Sequence, residues 1–310
     1  MAAFWNDARR GDNRAMSESR ASAARGAFDR AMPALFVLLW STGFIGAKFG
    51  LPYAPALKFL LWRFAAVILL MTLIALVTRA RWPRGRQWLN VAVAGVLLQA
   101  GYLGGVFTAI DLGMTAGLSA LIVSLQPVLT ALTSPLTGEK VRPLQWLGLV
   151  LGLGGVVMVV WNKLALGIIN PASLALTVLA LLSITAGTLF QKRYCEAQDL
   201  RTQSVVQFAA AGLVLLPVSL AFETRPVVWT GEFVFALGWL VVVLSLGAIS
   251  LLLVLIRHGA ATSVSSLMYL VPAVTAIMAW VMFGETLTWL AMAGMAVAVV
   301  GVALVTRKVA

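Results

Sequence analysis

The sequence predicts an all-α integral membrane protein of ten transmembrane helices in two inverted five-helix repeats. Three observations carry this expectation. Of 310 residues, 61% are hydrophobic and 11% charged, whereas soluble domains run at about 45–50% and about 25%. The apolar residues are gathered into runs of membrane-spanning length. The cations fall on alternate connections between those runs. So much apolar surface excludes a water-soluble globule and a disordered chain. A single cysteine excludes a disulfide scaffold.

A spanning helix needs about 20 apolar residues, within a range of about 17–25. Ten runs meet this: Pro33–Phe49, Leu57–Val77, Trp88–Ile110, Leu118–Leu136, Leu144–Trp161, Leu174–Gln191, Gln203–Phe222, Phe233–Ile256, Ser263–Phe283 and Leu287–Thr306. They do not alternate in polarity, so they are helices and not barrel strands. Residues 1–30 hold six arginines and four acids, and are expected to form a disordered basic cytoplasmic tail. The length of this tail argues against a cleaved signal peptide, although Ala54-Pro55-Ala56 supplies a cleavage-like triplet.

Eighteen of the 23 Lys and Arg lie in the tail, after every even-numbered run, or at the C-terminus; the opposite connections hold only Lys163 and Arg225. The positive-inside rule puts the eighteen, and with them both termini, in the cytoplasm. The net charge of +12 therefore needs no nucleic-acid partner. The expected location is the plasma (inner) membrane, multi-pass, with the lipid bilayer and a small-molecule substrate as partners. Oligomeric state is left open.

The chain also repeats internally. Gln126-Pro127-Val128-Leu129-Thr130-Ala131 leads to Gly138-Glu139, then Gly148 and Gly155. Val271-Pro272-Ala273-Val274-Thr275-Ala276 leads to Gly284-Glu285, then Gly294 and Gly301. The offset is 145 before the Gly-Glu pair and 146 from it onward. Residues 31–162 and 163–310 are thus expected to be two five-helix units. Five is odd, so the second unit enters the membrane upside down. Inverted repeats of this kind typify transporters, with the substrate site at the repeat interface. The glycines of runs five and ten have small-xxx-small spacing and are expected to form a tight scaffold or a dimer seam.

With these features the chain resembles the EamA-type exporters of the drug/metabolite transporter superfamily. Leu39-Trp40-Ser41-Thr42-Gly43-Phe44 with Arg63 is similar to that family's first-repeat opening, and the two Pro…Gly-Glu…Gly stretches to its repeat core. The resemblance covers about residues 33–306. It implies export of small metabolites by alternating access through a central cavity formed by spans 1, 3, 4, 6, 8 and 9. Its narrower form, a likeness to the YddG-like exporters, implies aromatic amino acids as cargo.

Polar residues inside a bilayer face a cavity or a partner. Trp40, Phe44 and Lys48 recur every four residues and share one stripe of the first helix. Gln99 and Tyr102 share a face of the third. Ser124 and Gln126 precede Pro127, and Tyr269 precedes Pro272, where proline breaks a helix. These eight are the expected substrate-binding residues. Arg63 has three readings: a direct ligand, a snorkelling side chain, or a partner for helix-end carbonyls. None of the eleven carboxylates lies at a span centre, which favours facilitated diffusion over proton coupling, the alternative. His258 falls on a cytoplasmic loop and is the sole histidine, so neither a metal nor another cofactor is expected. An intramembrane enzyme lacks an apparent base; a channel is the remaining rival.

Overall fold

The computed structural model describes residues 32, 34–133, 143–165, 169–195, 198–248, 251, 270–286 and 288–306, and contains helices and no strands among them. The first repeat supplies α1 (Ala34–Gly50), α2 (Ala56–Val77), α3 (Gln87–Asp111), α4 (Ala116–Leu132) and α5 (Pro143–Ala165). The second supplies α6 (Pro171–Tyr194), α7 (Leu200–Phe222), α8 (Gly231–Gly247), α9 (Val271–Phe283) and α10 (Trp289–Thr306). Among the described residues, five helices, α2, α3, α5, α6 and α7, are long and apolar enough to cross a membrane, and α1, α4, α8, α9 and α10 are shorter apolar helices. α4 is interrupted by a turn at Ser124-Leu125, just before Pro127, whose ring cannot follow an uninterrupted helix. α9 starts with Pro272 in its first turn.

Side chains close most of the helix starts. The hydroxyls of Thr115, Thr230 and Thr288 accept from the backbone N–H groups of Leu118, Phe233 and Ala291, and Asn170 accepts from Ala172, as N-caps do. Asp199 caps α7 by accepting from Arg201 N at 3.0 Å. Hydrogen bonds from the Arg201 guanidinium hold its carboxyl below the usual range. α2 starts at Pro55 and has no cap of its own. Its first amides, Leu57 and Lys58, instead donate to the carboxylate of Glu223 at the end of α7.

Three packed pairs join equivalent helices of the two repeats: α2 with α7, α4 with α9, and α5 with α10. A pair meeting its own repeat mate lies on a pseudo-twofold axis. The α5–α10 seam is backbone on backbone. A Cβ on Gly301 would lie 2.2 Å from Gly152 N, and one on Gly155 would lie 2.5 Å from Gly294 O. The glycine stripes therefore build an internal scaffold.

The third helix of each repeat holds a wide π-helical segment, Val96–Leu103 in α3 and Trp239–Ala248 in α8. Shifted by the repeat offset of 145, the two segments coincide to within two residues. Glycines bring both segments close to their neighbours. Gly101 meets Ser183 of α6, and Gly43 and Gly46 of α1 admit Leu244 and Leu240 of α8. Outward faces carry large apolar side chains, with Leu69 75% and Phe222 81% exposed. Exposure on that scale is a lipid-facing surface.

Candidate functional site

Between the repeats lies a cavity of about 540 Å³, within the usual size for a small-molecule site. α1 contributes Trp40 and Phe44; α3 contributes Gln99, Tyr102 and Phe107 around its π segment; α4 contributes Gln126 at its break. From the second repeat come Thr188 and Gln191 of α6, Gln203, Gln207 and Phe208 of α7, and Leu244 and Ser245 of α8. Five of the eight expected residues, Trp40, Phe44, Gln99, Tyr102 and Gln126, thus meet in one cavity wall.

Two others, Lys48 and Ser124, do not. Lys48 continues the Trp40–Phe44 stripe by one turn but pairs with Glu285 beyond the cavity, with its ammonium 4.9 Å from the centre of the Phe283 ring. Ser124 donates to Leu121 O at 2.6 Å, closing the turn that breaks α4. Tyr269 and His258 lie outside the described residues.

Two polar contacts knit helices together beside the cavity. Gln126 Nε2 donates to Thr188 Oγ1 at 2.9 Å, and Gln207 Nε2 donates to Gln191 Oε1 at 2.7 Å. Sequence reasoning passed over Thr188, Gln191, Gln203 and Gln207. The signal was present: Gln203 and Gln207 are four apart, on one face of an apolar run. Arg63, left with three readings, is 4% exposed and lines the cavity, with Nη2 donating to Ser245 Oγ at 3.2 Å. It does not snorkel.

The cavity is asymmetric along the helices. Residues from the last turns of α6 and the first turns of α7, Gln191, Leu200 and Ser204 among them, carry its wall to the α6–α7 end. The opposite end is stitched across helices. Glu285 accepts from Lys48 Nζ of α1 and from Ala116 N, the first amide of α4. Arg225 bridges to Asp111 at the end of α3 at 3.0 Å, and its carbonyl accepts from Lys58 Nζ. The described carboxylates lie at helix ends or in connections, and none lines the cavity. Among the described residues no group of three His, Cys, Asp or Glu side chains is placed to hold a metal.

Comparison with known proteins places this architecture. The chain is 28% identical over 275 residues to the uncharacterized inner membrane transporter YedA of Escherichia coli K12, covering 88% of this chain and 89% of that one. It is 27% identical to the uncharacterized transporter YvbV of Bacillus subtilis, covering 89% and 90%. To the probable amino-acid metabolite efflux pump of Salmonella typhimurium it is 26% identical, covering 84% and 88%. A solved crystal structure superposes with a TM-score of 0.62 at 16% identity, covering 89% of this chain and 96% of that one; it shares the fold. The family model described as the EamA-like transporter family matches twice, over residues 32–161 and again over 172–307. A cavity between two copies of one helical unit, and two matches to one transporter repeat, have a single explanation: this multi-pass membrane protein belongs to the EamA-like transporter family.

Proposed function

We propose that the protein exports small amino-acid metabolites, aromatic amino acids foremost, from the cytoplasm across the inner membrane by alternating access. The observation that carries this reading is the cavity at the repeat interface, whose wall combines Trp40, Phe44, Tyr102, Phe107 and Phe208 with the amides of Gln99, Gln126 and Gln203. Flat apolar walls suit aromatic side chains, and the amides supply directional hydrogen bonds. The Salmonella relative's designation as a probable amino-acid metabolite efflux pump favours the same substrate class.

In this reading all ten apolar runs span the bilayer, with both termini cytoplasmic. The α6–α7 connection, flanked by Lys192, Arg193 and Arg201, is then cytoplasmic, and the cavity is in its loading state. The stitched end carrying Glu285 and Arg225 is the outer gate. Rocking of the two halves about the α5–α10 seam exchanges the open end. Among the described residues the cavity wall carries no carboxylate, which suits facilitated diffusion, since proton relays through a membrane commonly use buried Asp or Glu.

Purified protein in liposomes tests this. Loaded with labelled phenylalanine, vesicles are expected to release it saturably and with counterflow, without any imposed proton or sodium gradient. Strict dependence on such a gradient removes the facilitated mechanism. Unsaturable flux without counterflow makes the protein a channel. Absence of flux for phenylalanine, tyrosine and tryptophan, with flux of other amino acids, removes the aromatic preference.

A further inference from the structure

Arg63 is the one charged side chain in the cavity wall among the described residues. Its guanidinium is buried, yet it has no ion pair there. Among the described residues Nη2 reaches only the neutral hydroxyl of Ser245, and Nε has no hydrogen-bond partner. Ser245 cannot act as a counter-ion, and its own proton goes to Leu240 O. Three other cations do have a counter-ion: Lys48 has Glu285, Arg201 has Asp199 and Arg225 has Asp111. A buried, unpaired guanidinium is costly in a low-dielectric site. It also presents a planar fork of donors that matches a carboxylate. Tyr102, Trp40 and Phe44 surround it with apolar and aromatic surface.

We infer that Arg63 is the anchor for a carboxylate of the substrate, so that this cavity takes organic monocarboxylates, zwitterionic amino acids included, and rejects cations that lack one. The substrate supplies the counter-ion that the protein withholds. Its amino group meets only neutral acceptors, the side-chain oxygens of Gln99 and its neighbours, because no carboxylate lines the wall. The carboxylate is therefore the required group and the ammonium is dispensable. The inference rests on the transport reading above, but not on its choice of aromatic amino acids.

Three ligands of one shape separate the groups: phenylalanine, 3-phenylpropionate, which lacks the ammonium, and phenethylamine, which lacks the carboxylate. Leucine and butyrate extend the panel to non-aromatic carboxylates. Binding is read on full-length detergent-purified protein as ligand-dependent thermal stabilisation. Phenylalanine and 3-phenylpropionate are expected to stabilise, and phenethylamine not to. Loss of a charge-assisted pair weakens binding by about ten- to hundredfold, so Arg63→Gln is expected to lose the carboxylate ligands by that factor. Arg63→Lys keeps the charge without the fork and falls between; it carries the comparison if Arg63→Gln does not purify as a monodisperse protein. Carboxylates binding without phenylalanine among them refutes the aromatic amino-acid reading and leaves Arg63 in place. Phenethylamine binding as tightly as phenylalanine, no carboxylate binding, or full affinity in the Arg63 variants overturns the inference.

Discussion

Glu285→Gln separates the charge of the stitched end from its shape. Glutamine keeps an oxygen that accepts from Ala116 N, so the start of α4 stays capped. What disappears is the charge facing Lys48. The Glu285 side chain is 8% exposed and that of Lys48 28%, so the pair lies between two regimes. Exposed pairs contribute about 0.2–1 kcal/mol, and removing one partner from a fully buried pair costs about 3–5 kcal/mol. The half-covered lysine and the Phe283 ring beneath it, which still holds the ammonium, pull the figure toward the lower regime, to about 1.5 kcal/mol. In the alternating-access reading only the conformer with this end closed makes the contact, so the full difference is expected to shift the balance of states by about tenfold toward opening there. Spin labels on Tyr53→Cys and Thr286→Cys, in a Cys195→Ser background, report the width of this end as a distance distribution. The long-distance population is expected to rise by that factor in Glu285→Gln, and Lys48→Gln is expected to add nothing on top of it. Distributions identical to the parent, or additive effects of the two substitutions, refute the latch.

Three further outcomes follow from the geometry. Gly301→Ala would press a methyl group against the backbone of Gly152 and Gly148, and is expected to cost about 3 kcal/mol, the upper end of overpacking; Gly154→Ala meets nothing within 4 Å and is expected to stabilise by about 0.5–1 kcal/mol, both read as melting temperatures in detergent. Asp199→Ala is expected to cost about 1 kcal/mol as a lost N-cap at neutral pH. The Asp199 carboxyl titrates lower when folded than when unfolded, so its contribution is present above the unfolded value and fades as pH falls through the folded one; parent and variant melting curves should converge in acid. Trp40→Ala is expected to raise KM for phenylalanine transport more than for leucine, and equal effects on both would remove the ring from substrate recognition.

The repeat was readable because Pro, Gly-Glu and paired glycines have backbone requirements that recur at an offset of 145 before the Gly-Glu pair and 146 from it onward, and the matching helices pack as the pairs α4–α9 and α5–α10. The α1 stripe was readable for the same local reason: residues four apart on a helix share a face, which puts Trp40 and Phe44 in one wall. Lys48 shows where such reasoning stops. Its partner Glu285 is 237 residues away and belongs to the other repeat, so no local spacing relates them. Arg63 was ambiguous because depth along a span does not tell whether a side chain faces lipid or cavity; only the closure of α2 against α7 and α8 decides. The π segments were not legible, since their residues, VLLQAGYL and WLVVVLSLGA, are of the same apolar kind as those of the neighbouring helical runs.

A π segment is one surplus residue lodged in an α-helix. It behaves like a dislocation in a crystal, able to travel along the helix by exchanging one carbonyl partner at a time while the rest of the ladder stays intact. As it passes, the side chains in its path turn about the helix axis. In α3 those side chains include Gln99 and Tyr102, and in α8 they include Leu244 and Ser245. In the inverted arrangement proposed above the two helices run in opposite senses, and one such defect migrating outward with its twin migrating inward would repaint both walls of the cavity at once, with neither repeat needing to unfold.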